Sequence, residues 1–360
     1  MTLSHITFSS TLRRLGQAVW TISALALYAG AAHAQDKTLY IGMNGGDMER
    51  SYTKYVFPAF ERIRGVKVVV VPGTSSDILA KVQASKEKPP VHVMFLDDGV
   101  MVRAIKMGLC QKLDNFPVLK DLYPSARMAG DMAAGVNVGM TGIAYNKKMF
   151  DEKKWPAPSS WMDFADPKFK GKVVFQSMPS SSFGLHGFLM FNRIQGGSEK
   201  NVEPGFTKWG STIGPNVLEY IPSSAKISEM VQNGEAAIFP LTPTGVATQK
   251  ARGVPMEYVQ PKEGSVLLMV AECVTARNDN MAMAQKLAEF LLTVQAQSAA
   301  LEFGNQIPSN LKTLPGTPAA RETVERFQGY MKTVKVLDWR SEEHTSELQS
   351  RGLISYAVFC

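Results

Sequence analysis

The chain has 360 residues, 45% hydrophobic, 20% charged and 9% aromatic, a balance that excludes disordered and fibrous classes and suffices for two sizeable cores. A mean hydropathy of -0.08, with no long apolar run beyond the N-terminal stretch, argues against an integral membrane protein. The formal charge of +7 comes from lysines and arginines scattered among acids rather than grouped with aromatics, so no nucleic-acid partner is expected.

The first segment, 1–34, carries Arg13 and Arg14, an apolar stretch over 18–27, and small residues ending in Ala32-His33-Ala34. This is the three-part layout of a secretory signal peptide, with cleavage expected after Ala34 and export by the general secretory route. Leu15-Gly16-Gln17 fits a twin-arginine signal poorly, and no cysteine stands at the junction to carry a lipid.

From residue 38 strands and helices alternate. Strands are predicted over 39–43, 66–71 and 91–96, separated by helices over 51–64, 75–84 and 100–107, the last stopped by Gly108. Strands spaced by single helices read as βαβ crossovers, hence a mainly parallel, doubly wound sheet. The glycine-rich segment 134–142 reads as a hinge, where the chain leaves this sheet to resume with strands near Ile143, Val173 and Leu218. The run 236–241 ends in Thr242-Pro243-Thr244, 266–274 reads as a buried strand crossing back, and 281–301 reads as one long amphipathic helix. Two cysteines lie between the ends, Cys110 and Cys273; one bridge is possible, while their apolar neighbours favour two separate buried thiols.

The last stretch, 340–360, has neither periodicity nor turn chemistry. RSEEHTSELQS and ISYAVFC resemble the in-frame translation of a common sequencing-library adapter, so this tail is expected to be foreign, and His344 and Cys360 carry no argument.

Several segments carry a family signature in order. They are Phe60-Glu61 followed by Gly65-Val66-Lys67-Val68, Gly139-Met140-Thr141-Gly142-Ile143-Ala144-Tyr145-Asn146, Trp161 with Asp163, and Pro167-Lys168-Phe169-Lys170-Gly171-Lys172-Val173. Asn233-Gly234-Glu235-Ala236, Pro261-Lys262-Glu263-Gly264 and Asn305 with Pro308 and Asn310 complete it. Together they resemble the type II periplasmic solute-binding proteins of ABC importers, in the group that includes spermidine/putrescine and ferric-iron binders. The resemblance implies two doubly wound α/β lobes, 35–138 with 244–304 and 139–243 with 305–339, joined by crossing hinge strands. It also implies a monomer that delivers a small-molecule solute to an ABC permease. Gly45, Val138 and Thr242 stand where the polyamine branch commonly has aromatic rings, and the tyrosine pair of the ferric branch does not occur.

In open parallel sheets ligands gather beyond the carboxyl ends of strands. The loops there are Asn44-Gly45-Gly46-Asp47, Gly73-Thr74-Ser75-Ser76 and Asp97-Asp98 in the first lobe, and Ser180-Ser181-Ser182 and Thr242 with Thr244 in the second. Glycine loops admit backbone N–H groups to a ligand, hydroxyls at helix starts suit anions, and a carboxylate accepts from an amine or sugar hydroxyl. Tight turns and ordinary helix caps explain the same residues equally well. The expected function is capture of a small polar organic solute, whether acid, zwitterion or amine, with a polyamine binder and a secreted hydrolase as alternatives. For a hydrolase only His92 and His186 remain between the two ends, and no nucleophile, metal-ligand or cofactor motif occurs, so neither catalysis nor a metal or cofactor is expected.

Overall fold

The computed structural model describes residues 38–339; the readings of 1–34 as a signal peptide and of 340–360 as a foreign tail lie outside the described residues. The chain opens with β1 (Thr38–Met43), α1 (Asp47–Ser51), one π-helical turn over Tyr52–Val56, and α2 (Phe57–Arg64). Then come β2 (Lys67–Pro72), α3 (Ser75–Ala84), β3 (Val93–Asp97), α4 (Asp98–Lys106) and the short β4 (Cys110–Gln111). β1 pairs in parallel with both β2 and β3, as the βαβ pattern requires.

The glycine-rich segment expected to carry the hinge forms one of the crossing strands. β5 (Ala134–Asn146) runs unbroken for 13 residues through the glycines, because β10 pairs along its first part and β8 and β9 along its last. Tertiary pairing overrides the weak strand preference of glycine. The chain continues through α5 (Lys147–Lys153), β6 (Val173–Gln176), α6 (Ser182–Ile194), α7 (Glu203–Trp209), β7 (Val217–Ile221) and α8 (Ile227–Gln232). β8 (Ile238–Leu241), α9 (Pro243–Ala251) and β9 (Met256–Val259) follow, and β10 (Val266–Thr275) crosses back to pair antiparallel with β5 and β3. Where one long helix was expected there are two, α10 (Met281–Leu291) and α11 (Val294–Gly304), because the Thr293 side chain accepts from Ala296 N–H and restarts the helix. β11 (Ile307–Pro308) and α12 (Pro318–Met331) end the order.

The sheet path is β2-β1-β3-β10-β5-β8-β6-β7, parallel at both ends and antiparallel at the crossing strands β5 and β10. The result is a mixed α/β fold in two halves. The first half buries Leu39, Ile41, Phe57, Phe95 and Leu287 in one core. In the second half successive residues of β6 point to opposite faces: Val173 and Phe175 enter a core with Trp161 and Phe188, and Val174 enters another with Phe239 and Val246. Both faces are therefore covered by helices, as expected for parallel strands.

Cys110 and Cys273 form a disulfide, correcting the expectation of separate thiols. Pairing of β4 with β10 sets Cys110 opposite Thr275 and brings the two cysteine Cα atoms to 5.7 Å, which sequence spacing could not reveal. No helix among the described residues is long and apolar enough to cross a membrane.

Candidate functional site

Strand ends from both halves open onto one cleft of about 1000 Å³. It collects Asn44, Gly45, Gly46 and Asp47 after β1, Thr74 and Ser75 after β2, and Asp97 at the end of β3. From the other half come Ser180, Ser181 and Ser182 before α6, and Thr242 and Thr244 at the start of α9. Each of these residues was singled out in the sequence because it follows an expected strand.

Of the residues in the expected loops, Ser76 and Asp98 lie outside the cleft lining, and Asp98 turns away from it. It begins α4, and its carboxylate accepts a hydrogen bond from the Trp339 indole N–H at 2.9 Å. Alternation along the chain sends neighbouring side chains to opposite sides, so an Asp-Asp pair supplies the cleft with one carboxylate and not two. Burial pushes the Asp98 carboxyl up to about 7, the Trp339 bond works against this, and the charge of Asp97 adds to it.

The structure separates hydroxyls already committed to the fold from those that are not. Thr74 closes a capping box on α3: its hydroxyl accepts from Asp77 N–H at 3.2 Å, and Asp77 accepts from Thr74 N–H at 3.0 Å. Thr242 caps α9 by accepting from Gly245 N–H at 3.0 Å, and shares a 3.3 Å contact with Thr244. Ser75 accepts from Asp97 N–H at 3.0 Å, and Ser180 donates to the Pro222 carbonyl at 3.1 Å. At α6 the cap position is Ser181, yet its side chain makes no capping bond. The N-terminus of a 13-residue helix therefore meets the cleft with backbone N–H groups uncapped by a side chain. Gly184, in the first turn of α6, permits this placement: a Cβ there would overlap the Gln176 carbonyl oxygen.

Bonds cross the cleft. Ser182 Oγ donates to the Asp97 carboxylate at 2.5 Å, Ser76 Oγ to the Pro179 carbonyl at 3.0 Å, and Asn305 Nδ2 to Thr248 Oγ1 at 3.4 Å. Burial raises the Asp97 carboxyl, with the Ser182 and Ser75 hydroxyls partly offsetting it. Arg50 and Arg252 both pair with Asp47, Arg252 Nη1 at 3.1 Å from Oδ2. Burial acts against ionisation of Asp47, but hydrogen bonds and charge from Arg252 and Arg50 outweigh it and hold the carboxyl below its ordinary range.

Sequence reasoning missed Arg50, Arg252, Asn137, Ser223, Ser224 and Thr248, all of which line the cleft. Ser223-Ser224 directly follow β7, so the strand-end rule was able to find them. Arg252 follows the far end of α9 and reaches the cleft by packing alone, with no local signal. Phe183 is the one aromatic ring among the lining residues. The two histidines lie elsewhere: His92 contacts Tyr40 N–H at 2.9 Å and Asp279 at 3.0 Å, and His186 is fully buried against Thr141 at 2.8 Å.

Two α/β halves linked by crossing strands, with a polar cleft at the strand ends, define a periplasmic-binding-type fold. The chain belongs to the bacterial extracellular solute-binding protein family, whose model matches residues 56–345. It is 25% identical to a spermidine/putrescine-binding periplasmic protein of Escherichia coli, over 75% of this chain and 77% of that protein. A putative 2-aminoethylphosphonate-binding periplasmic protein of Salmonella typhimurium is 23% identical over 59% of this chain and 60% of its own length. Among solved structures, the periplasmic binding protein AfuA of Actinobacillus pleuropneumoniae, with fructose-6-phosphate bound, superposes with a TM-score of 0.73 at 21% identity, covering 89% of this chain and 97% of that one.

Proposed function

We propose that the protein is the periplasmic solute-binding component of an ABC importer, that it captures a small polar organic solute bearing an anionic group, and that it hands this solute to a membrane permease as a monomer. The observation that carries the reading is the start of α6, where Ser181 leaves the helix N-terminus uncapped toward a cleft whose cationic side chains are Arg50 and Arg252. Ring-poor walls argue in the same direction. An ammonium group gains about 0.5 to 2 kcal/mol from each aromatic face it meets, and Phe183 is the one ring available.

Three carboxylates line the cleft, and a polyamine would need them. Asp47 is paired with two arginines, Asp77 is held in the capping box of Thr74, and Asp97 accepts from the Ser182 hydroxyl across the cleft. A cation therefore finds little uncommitted charge there. We read the two halves as lobes whose closure depends on the solute's preference for the closed form, the crossing strands β5 and β10 acting as the hinge. The grouping of Val246 with Phe239 in one core supports counting α9 with the second lobe. A secreted hydrolase is the weaker reading, because neither histidine lines the cleft to serve as a base. The test is a melting screen of residues 35–339 against organic phosphates, phosphonates, dicarboxylates and polyamines. Anionic solutes are expected to raise the midpoint most, without turnover; a polyamine giving the largest rise overturns the assignment.

A further inference from the structure

We propose that Asp47 is a built-in competitor at the anion subsite of the cleft, its carboxylate occupying Arg50 and Arg252 until a phosphate or phosphonate group of the solute displaces it. The inference rests on the anionic-solute reading above and adds the subsite and the device that sets its selectivity.

The two guanidinium groups come from opposite sides. Arg50 is carried by α1 in the first half, and Arg252 stands just past α9 in the second, so one anion between them ties the halves together. They are the cationic side chains of the cleft lining, and both now bind the same carboxylate. Within this cluster two guanidinium groups face one carboxylate, and side-chain exposures of 62% for Arg50 and 46% for Arg252 keep them within reach of an incoming solute.

Geometry then selects the chemistry. Arg50 Nη2 and Arg252 Nη2 both bond Oδ1 of Asp47, while Arg252 Nη1 bonds Oδ2. Three donors thus share two oxygens. A tetrahedral group with three terminal oxygens gives each donor its own acceptor, and its double charge matches two guanidinium groups. A solute carboxylate offers no more than Asp47 already does, and Asp47 competes from a tether at an effective concentration in the millimolar range or above. The tethered acid therefore screens out monoanions and admits a dianionic oxyanion.

Calorimetric titration of the wild type, Asp47→Asn and Arg252→Gln with inorganic phosphate, fructose 6-phosphate, succinate and putrescine tests this, after a melting curve shows that each is folded. Asp47→Ser replaces Asp47→Asn should the latter not fold. Removing the Asp47 charge is expected to tighten phosphate and fructose 6-phosphate binding by about tenfold, and to admit succinate more tightly than the wild type does. Arg252→Gln is expected to weaken both phosphates by about tenfold. If the wild type binds an anionic probe and the Asp47 variant binds it equally or more weakly, the competitor role is overturned while the anionic-solute reading stands. If putrescine is the probe that binds and the Asp47 variant loses it, Asp47 is a ligand for a cation and both fall. If no form responds to millimolar phosphate, the subsite is absent and the inference is overturned.

Discussion

The two halves of the molecule reach similar sheets by different means. The first half mixes aliphatic residues, Leu39, Ile41, Leu287 and Leu291, with a smaller ring cluster of Tyr52 on Phe57 and Phe95, and the Cys110–Cys273 disulfide ties β4 to β10. The second packs rings on rings: Phe164 on Phe175, Phe175 on Trp209, Phe188 on Phe206. Their buried ionisable groups are opposite in kind. Glu272 in β10 is fully buried with neither carboxyl oxygen hydrogen-bonded, and His186 in α6 is fully buried with Nε2 unpartnered. The halves also present their helix starts differently, α3 sealed by Thr74 and Asp77, α6 left without a side-chain cap by Ser181. The difference teaches that a serine or threonine at a helix start is a ligand candidate only once its capping bond has been accounted for.

The largest expected effect sharpens the contrast between the cores. The disulfide joins residues 163 apart in sequence, and cross-linking so long a loop restricts the unfolded chain, so its loss costs about 2 to 5 kcal/mol. Reduction, or Cys110→Ala with Cys273→Ala, is expected to lower the melting midpoint markedly, with the first half losing amide protection before the second in hydrogen exchange. Equal loss of protection in both halves breaks the contrast.

An intermediate effect lies in pH dependence, where the halves should pull in opposite directions. Burial raises Glu272 well above 4.5, so the folded protein holds a proton that the unfolded chain releases, and stability from this group falls as pH rises above about 4.5. Asp98, at about 7, adds to the same decline. Burial lowers His186 to about 3, so its contribution is present above 6.5 and falls as pH drops from 6.5 toward 3. Denaturant titrations across pH are expected to show a flatter alkaline limb in Glu272→Gln and a flatter acidic limb in His186→Asn. Unchanged limbs in these variants contradict the assignment.

The smallest effect separates the two helix starts. Thr74→Ala removes a cap and should cost about 1 kcal/mol of stability. Ser181→Ala removes a hydroxyl with no structural duty, so the stability of the free protein should stay within about 0.5 kcal/mol, while solute affinity falls by about 0.5 to 1.5 kcal/mol. A stability loss in Ser181→Ala as large as in Thr74→Ala erases the distinction.

Much of this was legible in the sequence wherever the signal is local. The helix over 75–84 has the bounds read from the sequence, though its cap is Thr74, in a capping box with Asp77, rather than one of the serines that follow. The loops lining the cleft were found because turn residues follow β-branched runs. Long-range packing left no such trace. That the glycines along β5 lie within a strand shows only once β10 and β8 pair with them, and the 5.7 Å between Cys110 and Cys273 exists only once β4 meets β10. Arg252 reaches Asp47 across 205 positions of sequence, and Asp98 turned to Trp339 across 241.

The account depends on an anionic solute drawing the two halves together, and small-angle scattering measures this directly. With the anionic solute chosen by the melting screen at saturation, the radius of gyration of residues 35–339 should shrink relative to the free protein. Superimposable curves with and without bound solute contradict closure, and with it the reading of the cleft as a grip.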